Sequence, residues 1–177
     1  MTRPITAFLY THTHSISGQI VPGSQGLFSY LNLPTESYIE IEQGSISPLH
    51  QINQPPETFP QLWLVKDEII AVLVESRGGL GSSTTVRAGY TRPFPHWVRI
   101  LAGGYEIRGS VQSGARFDFA ALMFEGKSNF IPLYEAKLSA ILFPRVQAEA
   151  PAMVFNRTMV HALHLVPQEA VTGAQVS

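Results

Sequence analysis

The chain of 177 residues contains no cysteine. That removes disulfide frameworks, thiolate metal sites and cysteine nucleophiles at one stroke. Charged residues are scarce, 14% of the total, and the formal net charge is only -1 with a pI near 6.6. Such a chain has no global attraction for phosphate backbones or anionic lipid. It also lacks an apolar run approaching the roughly eighteen residues that a membrane-spanning helix needs. The start, "MTRPITAFLYTHTHS", carries one arginine but too short an apolar stretch for a signal-peptide core. The expectation is a cytoplasmic protein without membrane insertion. The apolar fraction of 45% suits a well-buried core rather than disorder.

Further absences concern chemistry. There is no G-x-S-x-G elbow and no triad-like grouping of Ser, His and Asp. "RGGLGSSTT" at Arg77 to Thr85 imitates a phosphate loop but lacks the lysine that would neutralise phosphate, and it reads as linker. His12 and His14 in "THTH" fall at a hairpin turn with no adjacent carboxylate to complete a metal shell. His161 and His164 would share a face only on a helix, and their surroundings read as strand. The sequence therefore predicts no catalytic, cofactor or metal site, and no enzyme.

What is present is a repeated apolar skeleton. Shifted by 91 positions, the chain pairs Ile16 with Ile107, Gly18 with Gly109, Ile20 with Val111 and Leu31 with Leu122. One extra residue then moves the register to 92, where Ile39 meets Ile131, Ile41 meets Leu133 and Ile46 meets Leu138. Back at 91, Leu64 meets Phe155, Lys66 meets Arg157 and Val72 meets Leu163. Order and spacing agree over about 65 positions, the mark of an internal duplication.

Each copy reads as strands. "YEIRGSV" alternates, as do "YIEIE" and "FIPLY", and Gly103-Gly104 is a two-residue hairpin signal. Pro132 within "FIPLY" suggests an edge or a bulge. "LWLV-KDE-IIAVLV" and "MVF-NRT-MVHALHLV" read as hairpins with a polar break, and "GLFSYLNL" as a single helical turn. The predicted fold is all-β: two tandem small β-barrels or rolls with pseudo-twofold symmetry, one helical turn in each. The first repeat spans 4–74 and the second 97–166. A Gly/Ser/Thr/Pro-rich linker arm, 75–96, joins them, and 167–177 reads as a flexible tail.

The marks "LFSYLN" in the first copy, with "FIPLYEA" and "VFNRTMV" in the second, resemble an uncharacterised family of small bacterial β domains. Neither copy carries every mark, and "YIEIEQG" is more acidic than the family strand. The resemblance implies the fold and brings no activity. In layout each copy is loosely similar to an Sm-like barrel.

Charge is divided unevenly. The first copy has Glu36, Glu40, Glu42, Glu57, Asp67 and Glu68 against Lys66 alone, whereas bases outnumber acids in the second. These features point to a non-catalytic scaffold or interaction subunit that binds a protein partner or itself, through edge strands and the linker arm. Tyr90, Phe94 and Trp97 are the expected anchors. The alternative is Sm-like nucleic-acid binding through Arg99, Arg108, Lys127 and Arg157, with Phe117 or Tyr134 stacking. The acidic first copy makes nucleic acid the less favoured partner. A third reading is a small-molecule sensor with a cleft between the repeats.

Overall fold

The structure, a computed structural model, describes residues 3–81 and 93–167. It is all-β apart from two short helices and a few 3₁₀ turns. The first half runs β1 (Ile5–Tyr10), β2 (His14–Ile20), α1 (Leu27–Leu31), β3 (Tyr38–Pro48), β4 (Glu57–Val65) and β5 (Ala71–Val74). The second runs β6 (Phe94–Ala102), β7 (Tyr105–Ser113), α2 (Phe119–Phe124), β8 (Phe130–Ala140), β9 (Gln147–Asn156) and β10 (Val160–Leu165). No helix among the described residues is long and apolar enough to cross a membrane.

The ten strands of the described residues belong to one antiparallel sheet in the order β10-β6-β7-β8-β9-β5-β1-β2-β3-β4. The expected pair of barrels is thus replaced by a single ladder that does not close. Within each half the neighbour order is the same: β5-β1-β2-β3-β4 and β10-β6-β7-β8-β9. The registers also correspond. Ile16↔Ile46 is matched by Ile107↔Leu138, and Ile39↔Leu64 by Ile131↔Phe155. Both halves shift register after the second residue of an equivalent pair, Ser17 and Arg108, and both carry a non-glycine residue with positive φ, Gln43 and Glu135. At these bulges a glycine is required by contact rather than by torsion. A Cβ on Gly109 would lie 2.8 Å from the Tyr134 carbonyl oxygen and from Leu133 Cγ, and one on Gly18 would lie 2.4 Å from Ile41 Cγ2.

The expected hairpins of the last strand pairs do not form. A 3₁₀ turn at Lys66–Glu68 follows β4, after which β5 pairs with β1 and β9 instead. The Arg157–Met159 turn does the same between β9 and β10. In each case the short turn lets consecutive strands occupy opposite ends of their half. Pro132 lies in β8, an internal strand, beyond the Ser110↔Tyr134 end of the β7 ladder. Its missing N–H faces that vacated side, so it interrupts no pairing and marks neither an edge nor the bulge.

The junction of the halves is β5 against β9, with Ala71↔Phe155, Val72↔Val154, Leu73↔Met153 and Val74↔Ala152. A local twofold would set like strands together, so the expected pseudo-twofold does not describe this contact. Every one of those eight residues is buried. Alternation sends them to two different cores. Val72, Val74, Ala152 and Val154 join Ala7, Leu9, Ile39 and Ile41 on one face. Ala71, Leu73, Met153 and Phe155 join Val98, Ile100, Ile107 and Leu133 on the other. The sheet therefore bends one way around the first core and the opposite way around the second, with β5 and β9 as the inflection.

Two polar ties reinforce this seam. The Tyr105 hydroxyl, wholly buried, donates to the Thr11 carbonyl at 2.6 Å across the halves, its ring edge-on to Tyr10. Asn32, at the end of α1, donates to the Phe130 carbonyl at 3.1 Å and accepts from the Phe130 N–H at 2.9 Å. Replacing Tyr105 by Phe removes one buried bond while keeping the ring. It should lower the unfolding free energy by about 1–2 kcal/mol. Urea denaturation checks this, with the m-value unchanged.

Candidate interaction surface

The strands at the two ends of the sheet are β4 and β10, and among the described residues neither has a partner on its outer side. The direction of their free backbone groups follows from the ladder. Lys66 N–H donates to the Ser37 carbonyl, so Leu64 and Leu62, at two-residue steps, also turn their amides toward β3. Gln61, Trp63 and Val65 therefore present N–H and C=O outward. At the other end Val166 N–H donates to the Trp97 carbonyl, which turns His164 and Ala162 toward β6. Leu163 and Leu165 present theirs outward.

The side chains on these edges are apolar yet exposed. Trp63 is 59% exposed, Val65 51%, Leu165 52%, and Tyr38, across from Val65, 52%. Leu62 and Leu64 pack half-buried against the first core, and Leu163 and Val160 against the second. Edges are commonly blunted by lysine or proline. Here Pro60 lies opposite Gln43, one of the residues with positive φ, and leaves the outward row of Gln61, Trp63 and Val65 intact.

The anchors expected from sequence are not gathered. Tyr90 lies outside the described residues. Phe94 opens β6, 46% exposed, and Trp97 is half-buried three residues later on the opposite face. They cannot form one contact spot. The structure places strand from Phe94 onward, so the end of the expected linker arm is sheet.

Of the expected nucleic-acid residues, two meet. Arg99 and Arg108 are directly cross-strand, and both bond Glu106, at 2.5 Å and 2.7 Å. The hydrogen bond from Arg99, helped by that from Arg108, outweighs burial and holds the Glu106 carboxyl below its ordinary value of 4.5. Arg99 Nε is itself buried without a partner among the described residues. Lys137 lies across from Arg108 and pairs with Glu149 at 3.1 Å, lining an open groove of about 390 Å³ with Glu106 and Arg108. Carboxylates thus offset the basic groups here.

Arg157 has a structural task. It donates to the carbonyls of Leu122, Glu125 and Gly126 at the end of α2. Lys66, its counterpart in the other half, is buried and donates to the Tyr30 and Leu33 carbonyls at 2.8 Å and 3.2 Å, at the end of α1. Cations at these ends satisfy carbonyls left without helical partners. Lys127 is exposed on the loop after α2. Phe117 packs on the second core beside His96, and Tyr134 lies half-buried under the Arg77 guanidinium at 5.0 Å.

Three of the four histidines weighed as ligands, His14, His161 and His164, hold hydrogen bonds. Gly103 N–H donates to His161 Nε2 at 3.2 Å, and His14 Nδ1 bonds the Thr13 hydroxyl at 2.7 Å. Among the described residues no group of three or more His, Asp or Glu side chains could hold a metal ion. No protein-family model matches this chain, and no curated protein or solved structure is significantly similar to it.

Trp63 is the feature that sequence reading passed over. Its signal was present: at a shift of 91 it aligns with Val154, a buried seam residue. For Glu106, the depressed carboxyl contributes stability that is present above the unfolded value near 4.5 and lost as pH falls through the lower folded value. Glu106→Gln should cost about 1 kcal/mol at neutral pH. The gap between variant and wild type should narrow as pH falls below the unfolded value, as measured by urea unfolding at neutral and acid pH.

Proposed function

We propose that this chain is a non-catalytic scaffold or interaction subunit of a larger protein assembly, built from two tandem copies of one small β module. The observation that carries the reading is the pair of edges, β4 and β10, which among the described residues have no outer partner and present apolar side chains beside free backbone donors and acceptors. β-Strand addition uses such edges: main-chain hydrogen bonds give affinity and alternate side chains give specificity. The equivalent neighbour order and registers of the halves support the duplication.

The basic residues speak less for nucleic acid. Arg99 and Arg108 share Glu106, Lys137 pairs with Glu149, and Arg157 is directed at backbone carbonyls. A ligand cleft between the halves has little support either, because β5 and β9 are buried on both faces where the halves meet.

The test is purification of the tagged chain from its native host, reading native mass and the 260/280 nm ratio before and after nuclease. The expected result is a nuclease-resistant particle heavier than the 19.5 kDa chain. A nuclease-sensitive particle rich in 260 nm absorbance would replace this reading with the nucleic-acid one, and a lone monomer would remove both.

A further inference from the structure

The chain contains one completed junction between its halves, β5 on β9, and displays both elements of that junction again at its two ends, each without an outer partner among the described residues. β10 has the place in the second half that β5 has in the first, and β4 has the place of β9. We propose that the partner of these edges is a second copy of this chain: β4 of one copy continues the sheet at β10 of the next, head to tail, repeating the internal seam. This rests on the scaffold reading only in taking the edges to be binding sites.

The correspondence extends to single residues. At a shift of 91 the seam pairs Val72↔Val154 and Val74↔Ala152 become Leu163↔Trp63 and Leu165↔Gln61. In the seam, Asn156 N–H donates to the Ile70 carbonyl, so its hydrogen-bonded pairs are Val72↔Val154 and Val74↔Ala152. The outward amides derived for the free edges are those of Trp63, Gln61, Leu163 and Leu165, the same phase. Donors and acceptors on β4 thus meet donors and acceptors on β10 without a slip. A one-residue slip would put every side chain on the wrong face.

The side chains agree with the phase. In the seam, Val154 leaves its own half and enters the core of the other, against Val72. Trp63 stands in its place at the edge, turned away from its own core and 59% exposed. Across the new junction it would lie against Leu163, where the second core is only half-covered. Conversely Ala162 and His164 would lie against Leu64 and Leu62, as Ala71 and Leu73 lie against Phe155 and Met153. β4 carries a single charged residue, Glu57, and β10 carries none, so no like charges oppose each other across the junction. Because the two edges are unlike, the contact is heterologous and builds rings or filaments rather than isolated twofold dimers.

The absence of native cysteine makes the register directly testable in the purified full-length chain. His164 and Leu62, and Ala162 and Leu64, would be non-hydrogen-bonded neighbours, the closer type of cross-strand pair. Chains carrying Leu62→Cys and chains carrying His164→Cys, mixed and oxidised, should give a covalent dimer that neither forms alone. Leu64→Cys with Ala162→Cys should behave likewise, and Leu64→Cys with His164→Cys, offset by two residues, should link poorly. Trp63→Glu, at an exposed site outside its own core, should keep the circular dichroism of wild type and weaken self-association by at least roughly ten-fold in light scattering. A wild-type chain that stays monomeric at micromolar concentration, or cross-linking by Leu62→Cys alone, would overturn the proposal. If the recombinant chain is monomeric while the native particle holds other proteins, self-association fails and the scaffold reading stands. A monomer in both settings removes both.

Discussion

The packing of β5 on β9 is the contact on which the rest of the sheet depends. Four residues of one strand and four of the other are buried on both faces, and each successive side chain serves a different core. Neither core is complete within its own half. The first takes Phe130, Ala152 and Val154 from the second half, and the second takes Tyr10, Leu49 and Ala71 from the first. Burial of this kind stabilises by roughly 1.5–3 kcal/mol for each large apolar side chain. Removing the seam would therefore expose parts of two cores at once.

Around that seam each half relies on the same few devices. A glycine, Gly18 or Gly109, allows the second strand to cross closely over the third. A cation, Lys66 or Arg157, reaches from the turn before the last strand to the carbonyls that end the helix. The cation after each fourth strand fixes where the chain turns away, so the fifth strand starts on the far side of its half. Burial of the Lys66 ammonium lowers its pKa, yet its two carbonyl acceptors keep the charge solvated by backbone.

The strands were legible because half-buried strands alternate. Tyr105, Ile107 and Val111 are buried while Glu106, Arg108 and Gln112 are more exposed, the pattern that alternation predicts. The joining of the sheet was not legible, since pairing between strands some eighty residues apart leaves no local mark. "AVLV" and "AMVF" are continuous apolar runs because both faces are buried, but such runs resemble any buried segment. Neighbouring strands in sequence were therefore paired by default, which produced the hairpins that do not exist. The contacts of Arg157 were hidden for a related reason: backbone carbonyls are invisible as partners in a sequence. The pairing of Glu106 with Arg108 was visible, two residues apart on one strand face.

The shared seam also has a temporal side. During synthesis the first half emerges whole while β9, some eighty residues downstream of β5, is still to be made. Until then Val72 and Val74 lie along an open margin, and the core they serve lacks Ala152 and Val154. Contacts so distant in sequence slow folding, because the chain loses loop entropy before it gains the packing. A first half that folded before β9 was made would carry β5 as a bare strand, the kind of open edge that pairs with its like in neighbouring chains. The short length of β5, four residues, keeps that interval's exposed margin small.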